Sequence, residues 1–504
     1  MKFAVLSALA IPVVVSAHGV NVVRHHPRQA APVAAASSAL PVASSGSSVT
    51  SAPAPSSSGS GAVASSASGT VSSRFVSGAT TLSFSMASEN PTAVPLSDIT
   101  YSMSSWPTAP LFSTFAPAAT NSLISNAPPL PNAALIVPSQ YPALDKTPPT
   151  DSPQVQQWLS EVMNSGIPIP DLSPTNPGGC GNNSAILGEA DRCWWTCGGC
   201  TTTTDITTCP TKFNWGLTHD DGPGPYTPGL LQYLEMVNLR TTFFVIGSRV
   251  IEYPVTLQTE YMSGHQLCVH TWSHPYMTTL TTEQVVAELG WAKAIIKAII
   301  GVTPLCWRPP YADVDNRVRA IAKALNLETI IWTGVNVGQS NHFTFDTNDW
   351  DLPAGLVTPW QVLDNWNNIM GNVSQLDTGF IVLEHDLFQQ TVDMSTGYIL
   401  PDALAHQPQL NITPIHECLG RTLSDVYLET NNNASNPIYV SSYGTSSYSG
   451  TAAAQSTSSG GSSKSGQGAS GASNTNGATS SMAHYSVVGM SLVSLLAGIG
   501  AVLL

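Results

Sequence analysis

Short apolar segments alternate with helix-like segments through the middle of the chain, and this alternation restricts the folds that are possible. Strand-like segments lie at 213–217, 242–246, 266–269, 305–308, 329–332 and 380–383. The stretch Thr282–Ile300 between two of them has helical periodicity, and Gly301 is placed to end it. Repeated strand-then-helix units predict an α/β fold with a parallel sheet or barrel.

Other helix ends are marked by capping residues. Thr227 precedes Pro228 and is predicted to cap a helix that has proline at its first position. Asp313 is predicted to cap a helix that continues to Leu325, and a further helix is expected near 359–371.

Ionisable side chains directly follow the predicted strands. They are Asp220, Asp221, His270, Arg308 and His385. In barrels of parallel strands the active site gathers at the carboxyl ends of the strands. Position and residue type therefore both indicate one site at this edge.

A divalent-metal site is the first hypothesis for this edge. Asp221, His270 and His274 form a three-ligand set of the kind that leaves a position open for water, and the adjacent Asp220 is suited to act as a base. Alone, the Asp-Asp-Gly-Pro sequence is typical of a turn, and the two histidines fit an exposed loop equally well. Their combination at strand ends favours a metal-dependent hydrolase.

The following polar motif supplies groups that assist such chemistry. Arg308 could keep Asp220 ionised, because a guanidinium lowers the pKa of a neighbouring carboxylate. The backbone N–H of Tyr311 could donate to an oxyanion. Taken alone, residues 346–350 are typical of an exposed loop, and His385 of a buried core histidine.

The start of the chain and its cysteines indicate export. Residues 1–17 have the charge, apolar core and small-residue end of a secretory signal. Eight cysteines, an even number, favour disulfides in a secreted chain; Cys193, Cys197 and Cys200 also resemble a zinc ligand set, but a disulfide cluster is the favoured interpretation. Sequons for N-glycosylation begin at Asn182, Asn372, Asn411 and Asn433.

The end of the chain predicts a GPI-attachment signal. Small residues near Asn476, a polar spacer and an apolar tail occur in that order, so residues 477–504 are expected to be removed. Asn476 is the favoured attachment site, with Ser473 and Gly471 as alternatives. A tail-anchored helix is the competing interpretation, although no basic residue follows the tail.

Composition separates a folded part from its flanks. Residues 18–140, rich in Ser, Ala, Pro and Thr, are predicted to be disordered and O-glycosylated, and 441–475 to form a Ser/Gly-rich stalk. The folded domain is placed at 150–430, with a Cys-rich extension at its N-terminal side. The net charge of −14 and the lack of a basic stripe argue against nucleic acid as a partner.

Five motifs together resemble the polysaccharide deacetylase (NodB-homology, carbohydrate esterase family 4) family, in particular its fungal chitin deacetylases. In order they are 218–223, 270–274, 308–311, 346–350 and 383–385, and the resemblance covers about 210–425. It implies a distorted (β/α) barrel and hydrolysis of N-acetyl groups in a β-1,4-linked N-acetylglucosamine polymer.

The resemblance also assigns roles. It implies a zinc or cobalt ion on Asp221, His270 and His274, Asp220 as general base oriented by Arg308, and His385 as general acid tuned by Asp349. It implies an oxyanion contact from Tyr311, and an acetyl pocket lined by Trp350 and Leu383. We expect a monomer that acts on chitin at the cell wall and is attached to the outer leaflet of the plasma membrane by the GPI anchor.

Two positions depart from the family pattern. His219 replaces a usual phenylalanine, and by strand alternation we expect it to pack beneath the site without binding metal. Ala312 stands where glycine is common, which could alter the loop that carries the Tyr311 amide. Two other functions stay open: deacetylation of another polysaccharide such as acetylated xylan, and a non-catalytic, polysaccharide-binding wall glycoprotein.

Overall fold

A computed structural model of the protein describes residues 70–72, 83–85, 88–103, 108–189, 191–336 and 342–432. The predictions for the signal at 1–17, the stalk at 441–475, the segment 477–504, Asn433 and Asn476 lie outside these residues. Within these ranges, no helix has both the length and the apolar character needed to cross a membrane.

Strands and helices alternate through the folded domain. In the described residues the strands are β1 (Thr70–Ser72), β2 (Ser83–Ser85), β3 (Asn214–Gly216), β4 (Thr218–Asp220), β5 (Thr242–Val245), β6 (Gln266–Val269), β7 (Cys306–Trp307), β8 (Glu328–Thr329), β9 (Gly334–Asn336), β10 (His342–Thr344), β11 (Phe380–Ile381) and β12 (Asn411–Thr413). The helices are α1 (Pro153–Met163), α2 (Thr227–Met236), α3 (Gly247–Glu252), α4 (Pro254–Met262), α5 (Thr282–Ile300), α6 (Asn316–Ala324), α7 (Pro359–Val373), α8 (Gln389–Met394), α9 (Leu400–Ala405) and α10 (Ile415–Cys418).

Two parallel sheets form the centre of the domain. Strands β4, β5, β6, β7 and β8 are neighbours in that order, and β3 pairs with both β11 and β12. Isolated parallel bridges join Asp220 at the end of β4 to His385, and Asp346 to Leu383. The expected α/β fold of parallel strands is confirmed. The Asp220–His385 bridge is an isolated contact between β4 and the chain that follows β11, so the two sheets are not joined there by a continuous ladder.

Local sequence signals define the longest helix well. Thr281 and Gln284 form a capping box at the start of α5, and Gly301 ends the helix with φ 84°. Glycine adopts this left-handed conformation without a Cβ clash. Strand β6 and helix α5 have the predicted bounds, whereas the other five predicted strands differ from the observed ones at one or both ends.

Two predicted helix caps are wrong. Tyr226 is the N-cap of α2, and the Thr227 hydroxyl instead donates to Asp386 at 2.5 Å. Asp315 caps α6 by accepting from the Val318 N–H, so Asp313 lies before the helix. In both cases the side chain that was predicted as the cap binds a residue distant in sequence, Asp386 for Thr227 and Trp194 for Asp313.

Part of the segment predicted to be disordered packs on the domain. The hydrophobic core includes four of its side chains, Leu96, Ile99, Ile124 and Leu130. The Asn121 amide donates to the Tyr261 carbonyl at 2.6 Å. The prediction is therefore wrong for 88–103 and 108–140. These residues make isolated contacts along an irregular backbone, so they leave no periodic signal in the sequence.

All eight cysteines form disulfides, in agreement with the favoured interpretation of the cysteine cluster. The pairs are Cys180–Cys197, Cys193–Cys200, Cys209–Cys418 and Cys268–Cys306. Asn182 and Asn411 are exposed and Asn372 is half-buried, and glycosylation at these positions stays a prediction.

Candidate active site

The ionisable residues that follow the strands meet at one edge of the sheets. Asp220 ends β4, His270 follows β6, and Arg308 follows β7. Parallel strands present their carboxyl ends on the same side, so these side chains converge although they are distant in sequence. The bridge between Asp220 and His385 adds the fifth motif to the same edge.

Asp221, His270 and His274 bring their ligand atoms within 4.8 Å of one another. Asp221 Oδ1 lies 3.4 Å from His270 Nε2 and 3.2 Å from His274 Nε2. Burial raises the pKa of Asp221, but His274, His270 and His385 together outweigh this effect and hold the pKa well below its ordinary value. Asp221 is therefore ionised over the whole neutral range.

The hydrogen bonding of His270 tests whether a cation fits between these groups. Its Nδ1 lies 2.8 Å from the Arg308 carbonyl, which can only accept, so Nδ1 carries the proton. In the neutral ring, Nε2 then directs a lone pair towards the Asp221 carboxylate. Two acceptors facing each other are unfavourable unless a cation lies between them, so the donor set fits a divalent metal.

Asp220 forms an ion pair with Arg308 next to the ligand cluster. Its Oδ1 accepts from Arg308 Nη1 at 2.7 Å, and the same guanidinium nitrogen donates to the Thr218 hydroxyl at 2.9 Å. The Arg308 guanidinium also lies 4.0 Å from the centroid of the Phe244 ring. Asp220 Oδ2 lies 3.9 Å from His270 Nε2 and so faces the proposed metal ligands.

His385 and Asp349 form a second pair. The ring Nδ1 of His385 lies 2.7 Å from Asp349 Oδ1, which leaves ring Nε2 available. Asp386 N donates to the Asp220 carbonyl at 3.1 Å, and Asp220 N donates to the Glu384 carbonyl at 2.9 Å. These backbone bonds fix the spacing between Asp220 and His385.

Several residues of the site have left-handed backbone conformations that are unusual for side-chain-bearing residues. They are Asp221, Thr271, His274, Tyr311 and Ala312. Such strain persists where the surrounding structure enforces it, and it is frequent at functional sites. The ring of Tyr311 stacks on Tyr276, with centroids 4.0 Å apart, and also contacts the His274 ring edge-on at 4.6 Å.

The remaining sequence-predicted residues lie around this group. Leu383 is buried and forms a strand bridge with Asp346, and Trp350 is half-buried and hydrogen-bonded to Asp346. His219 is fully buried, with Nδ1 3.0 Å from the Thr241 hydroxyl and Nε2 3.3 Å from Ser395. This position beneath the site agrees with the expectation that His219 does not bind metal.

Two of the buried acids, both close to the site, were not predicted from the sequence. Glu288 of α5 accepts from the backbone N–H groups of Trp272 and Ser273, each at 2.9 Å, and from the Ser273 hydroxyl at 2.6 Å. Burial raises the pKa of Glu288 to about 7. A charged residue on the apolar face of a long helix was the available signal. Asp386 directly follows His385. Burial also raises the pKa of Asp386 to about 7.

Comparison with known proteins decides the family. A profile of the polysaccharide deacetylase family matches residues 207–330. Chitin deacetylase 1 of Cryptococcus neoformans var. grubii is 49% identical over 339 residues, which cover 67% of this chain and 70% of that protein. The chain belongs to the polysaccharide deacetylase family. The profile match includes the first three motifs, whereas Asp349 and His385 lie beyond it.

Other members of the polysaccharide deacetylase family share smaller parts of the chain. The chitin deacetylase of Amylomyces rouxii is 35% identical over 41% of this chain and 52% of its own length, so the match spans about half of that relative. The solved chitin deacetylase of Colletotrichum lindemuthianum is 25% identical and covers 45% of this chain and 95% of its own, with a TM-score of 0.36.

Proposed function

We propose that the protein is a chitin deacetylase, which hydrolyses the N-acetyl groups of β-1,4-linked N-acetylglucosamine residues to give chitosan and acetate. One observation carries the proposal. Asp220 and His385 are the two partners of one strand bridge, and Asp220 is adjacent in sequence to Asp221 of the Asp221, His270 and His274 cluster. An amide hydrolase needs a base for water and an acid for the departing nitrogen, and this arrangement offers both.

Asp221, His270 and His274 would hold a divalent ion, zinc or cobalt, which supplies Lewis-acid polarisation of the carbonyl and a lowered pKa of water. The chain's own groups account for the proton transfers. Arg308 occupies Asp220 Oδ1, so Oδ2 accepts the proton of the attacking water. The water oxygen bonds to the amide carbon, and the Tyr311 N–H donates to the oxyanion that forms.

Collapse of this tetrahedral species breaks the carbon–nitrogen bond. His385 transfers a proton from its ring Nε2 to the departing nitrogen, since its Nδ1 is engaged by Asp349. The amine stays on the sugar and acetate is released. Trp350 and Leu383 would line the pocket for the acetyl methyl group.

The test is acetate release by the purified protein from chitin oligomers, before and after chelation and re-addition of zinc. Acetate release only when metal is present supports the proposal. Acetylated xylan is assayed in parallel: if it is the only polymer deacetylated, the substrate assignment is wrong. Polymer binding without acetate release from either substrate would point to a non-catalytic wall glycoprotein.

Two variants test the assigned roles. Asp220→Asn should lower turnover by about 10²- to 10⁴-fold and retain zinc, because the ligands are intact. His270→Ala should lose both zinc and turnover. Wild-type turnover in either purified variant would contradict the roles.

We also propose that the protein is exported and attached to the outer face of the plasma membrane by a GPI anchor at Asn476, with the catalytic domain acting as a monomer on the wall polymer. The signal-like residues 1–17 and the apolar tail at 487–504 support this location. Release of the protein from intact cells by phosphatidylinositol-specific phospholipase is the expected result. Retention after that treatment would favour a tail-anchored helix.

A further inference from the structure

The turn that carries the proposed oxyanion donor is intrinsically strained. Tyr311 and Ala312 both have left-handed backbone conformations, with φ of 58° and 50°. Two consecutive side-chain-bearing residues seldom adopt this conformation without outside support. The support must come from groups that contact the turn or the residues next to it.

Asp313, the next residue, is anchored by four hydrogen bonds from two other segments. Its Oδ1 accepts from Trp194 Nε1 and from the Thr196 hydroxyl, each at 2.7 Å. Its Oδ2 accepts from the backbone N–H and the hydroxyl of Thr278, each at 2.8 Å. The side chain is 1% exposed, so the bonds form away from water.

Two of these donors belong to the segment 180–200, which two disulfides close. Trp194 and Thr196 lie within the loop that the Cys193–Cys200 disulfide closes, and the Cys180–Cys197 disulfide joins that loop to the preceding chain. Trp195 adds a backbone bond to the Val314 carbonyl at 3.0 Å. The disulfide-bonded segment therefore contacts the chain just after the strained turn at several points.

We propose that Asp313 is a positioning residue through which the disulfide-bonded segment 180–200 holds the Tyr311 N–H in place for the oxyanion. The inference rests on the proposed function, because it concerns the same reaction. An oxyanion donor acts only over a narrow range of distances, so a small displacement of the turn reduces turnover. The residues that donate hydrogen bonds to the Asp313 carboxylate are not metal ligands, so the loss should appear in kcat.

The test removes the two donors of the disulfide-bonded segment and leaves Asp313 in place. Thr196→Val is close in shape but lacks the hydroxyl, and Trp194→Phe lacks the indole N–H. In the double variant we expect kcat for acetate release to fall by about tenfold, with KM and zinc affinity unchanged. Thr196→Ser, which keeps the hydroxyl, should retain wild-type kcat. Thr201→Val, at an exposed position after the segment, serves as a further control.

A second measurement does not depend on activity. Hydrogen–deuterium exchange of peptides that cover 309–315 should be faster in the double variant than in the wild type. If the double variant does not fold, the Thr196→Val single variant is compared with the wild type instead. Wild-type kcat and wild-type exchange in a folded variant would overturn the inference. So would a parallel loss of zinc affinity, which indicates a general structural role. Failure of the proposed function would differ from both, because the wild type itself would then release no acetate.

Discussion

Asp349 holds His385 at two points. Its Oδ1 lies 2.7 Å from the ring Nδ1, and its Oδ2 accepts from the His385 backbone N–H at 2.9 Å. Burial alone lowers the pKa of His385, but Asp349, with further contributions from Asp221 and Asp220, raises it to about 10. The imidazole is therefore protonated at neutral pH, as a general acid requires.

Asp349→Asn should shift the alkaline limb of activity. The protonated form of His385 is the active one, so activity falls as pH rises through its pKa. Loss of the Asp349 charge lowers that pKa, and the limb should move to lower pH by at least about one unit. The measurement is kcat for acetate release as a function of pH.

Asp351→Asn is the matched control for this shift. Asp351 lies in the same turn as Asp349, but its Oδ2 accepts from the Asn348 amide at 3.5 Å. Its pH profile should follow that of the wild type. An unchanged alkaline limb in Asp349→Asn would refute the pairing as the source of the acid's pKa.

Arg308→Met should destabilise the fold strongly. The guanidinium and the Asp220 carboxylate are 0% and 2% exposed, so the substitution leaves a buried carboxylate without its cation. We expect the free energy of unfolding to fall by about 3–5 kcal/mol. Urea denaturation with the disulfides intact measures this change.

Arg421→Met provides the comparison for a more exposed ion pair. Arg421 pairs with Glu328, and the two side chains are 22% and 37% exposed. Solvent screening should limit the loss to about 1 kcal/mol or less. An equal loss of unfolding free energy in Arg308→Met and Arg421→Met would show that burial does not determine the contribution of the Arg308 pair to stability.

Glu288→Leu should weaken zinc binding without removing a ligand. The substitution leaves the N–H groups of Trp272 and Ser273 without an acceptor, and these residues lie between the proposed ligands His270 and His274. Loss of such supporting contacts typically lowers metal affinity by about 10- to 100-fold. Competition with a chelating dye measures the zinc Kd.

Glu288→Gln tests the same contact conservatively. Its amide oxygen can still accept from both N–H groups, so we expect a much smaller change in zinc Kd. If both variants bind zinc as the wild type does, Glu288 does not hold the histidine loop.

Removal of the Cys268–Cys306 disulfide should lower stability near the site. The bridge joins β6 shortly before His270 to β7 shortly before Arg308, across a sequence separation of 38 residues. Cys268→Ala/Cys306→Ala should reduce the free energy of unfolding by about 3–4 kcal/mol. An unchanged urea midpoint, with the slope of the transition also unchanged, would contradict this expectation.

The local sequence predicts those features that depend on neighbouring residues. The bounds of α5 follow from Thr281, Gln284 and Gly301, because capping and helix termination need only residues close in the chain. The proposed ligand set also follows from the sequence, since the type of each residue and its place at a strand end are both local. These local signals are sufficient to indicate the family.

Contacts between distant segments determine the remaining features. The sequence predicts disulfides but leaves their pairing open, and it assigns Asp313 to a helix cap although Trp194, Thr196 and Thr278 engage it. It also identifies His219 as a departure from the family pattern without giving its partners, Thr241 and Ser395. Each of these outcomes depends on which polar groups are buried together, and periodicity carries no information about partners that are far apart in the chain.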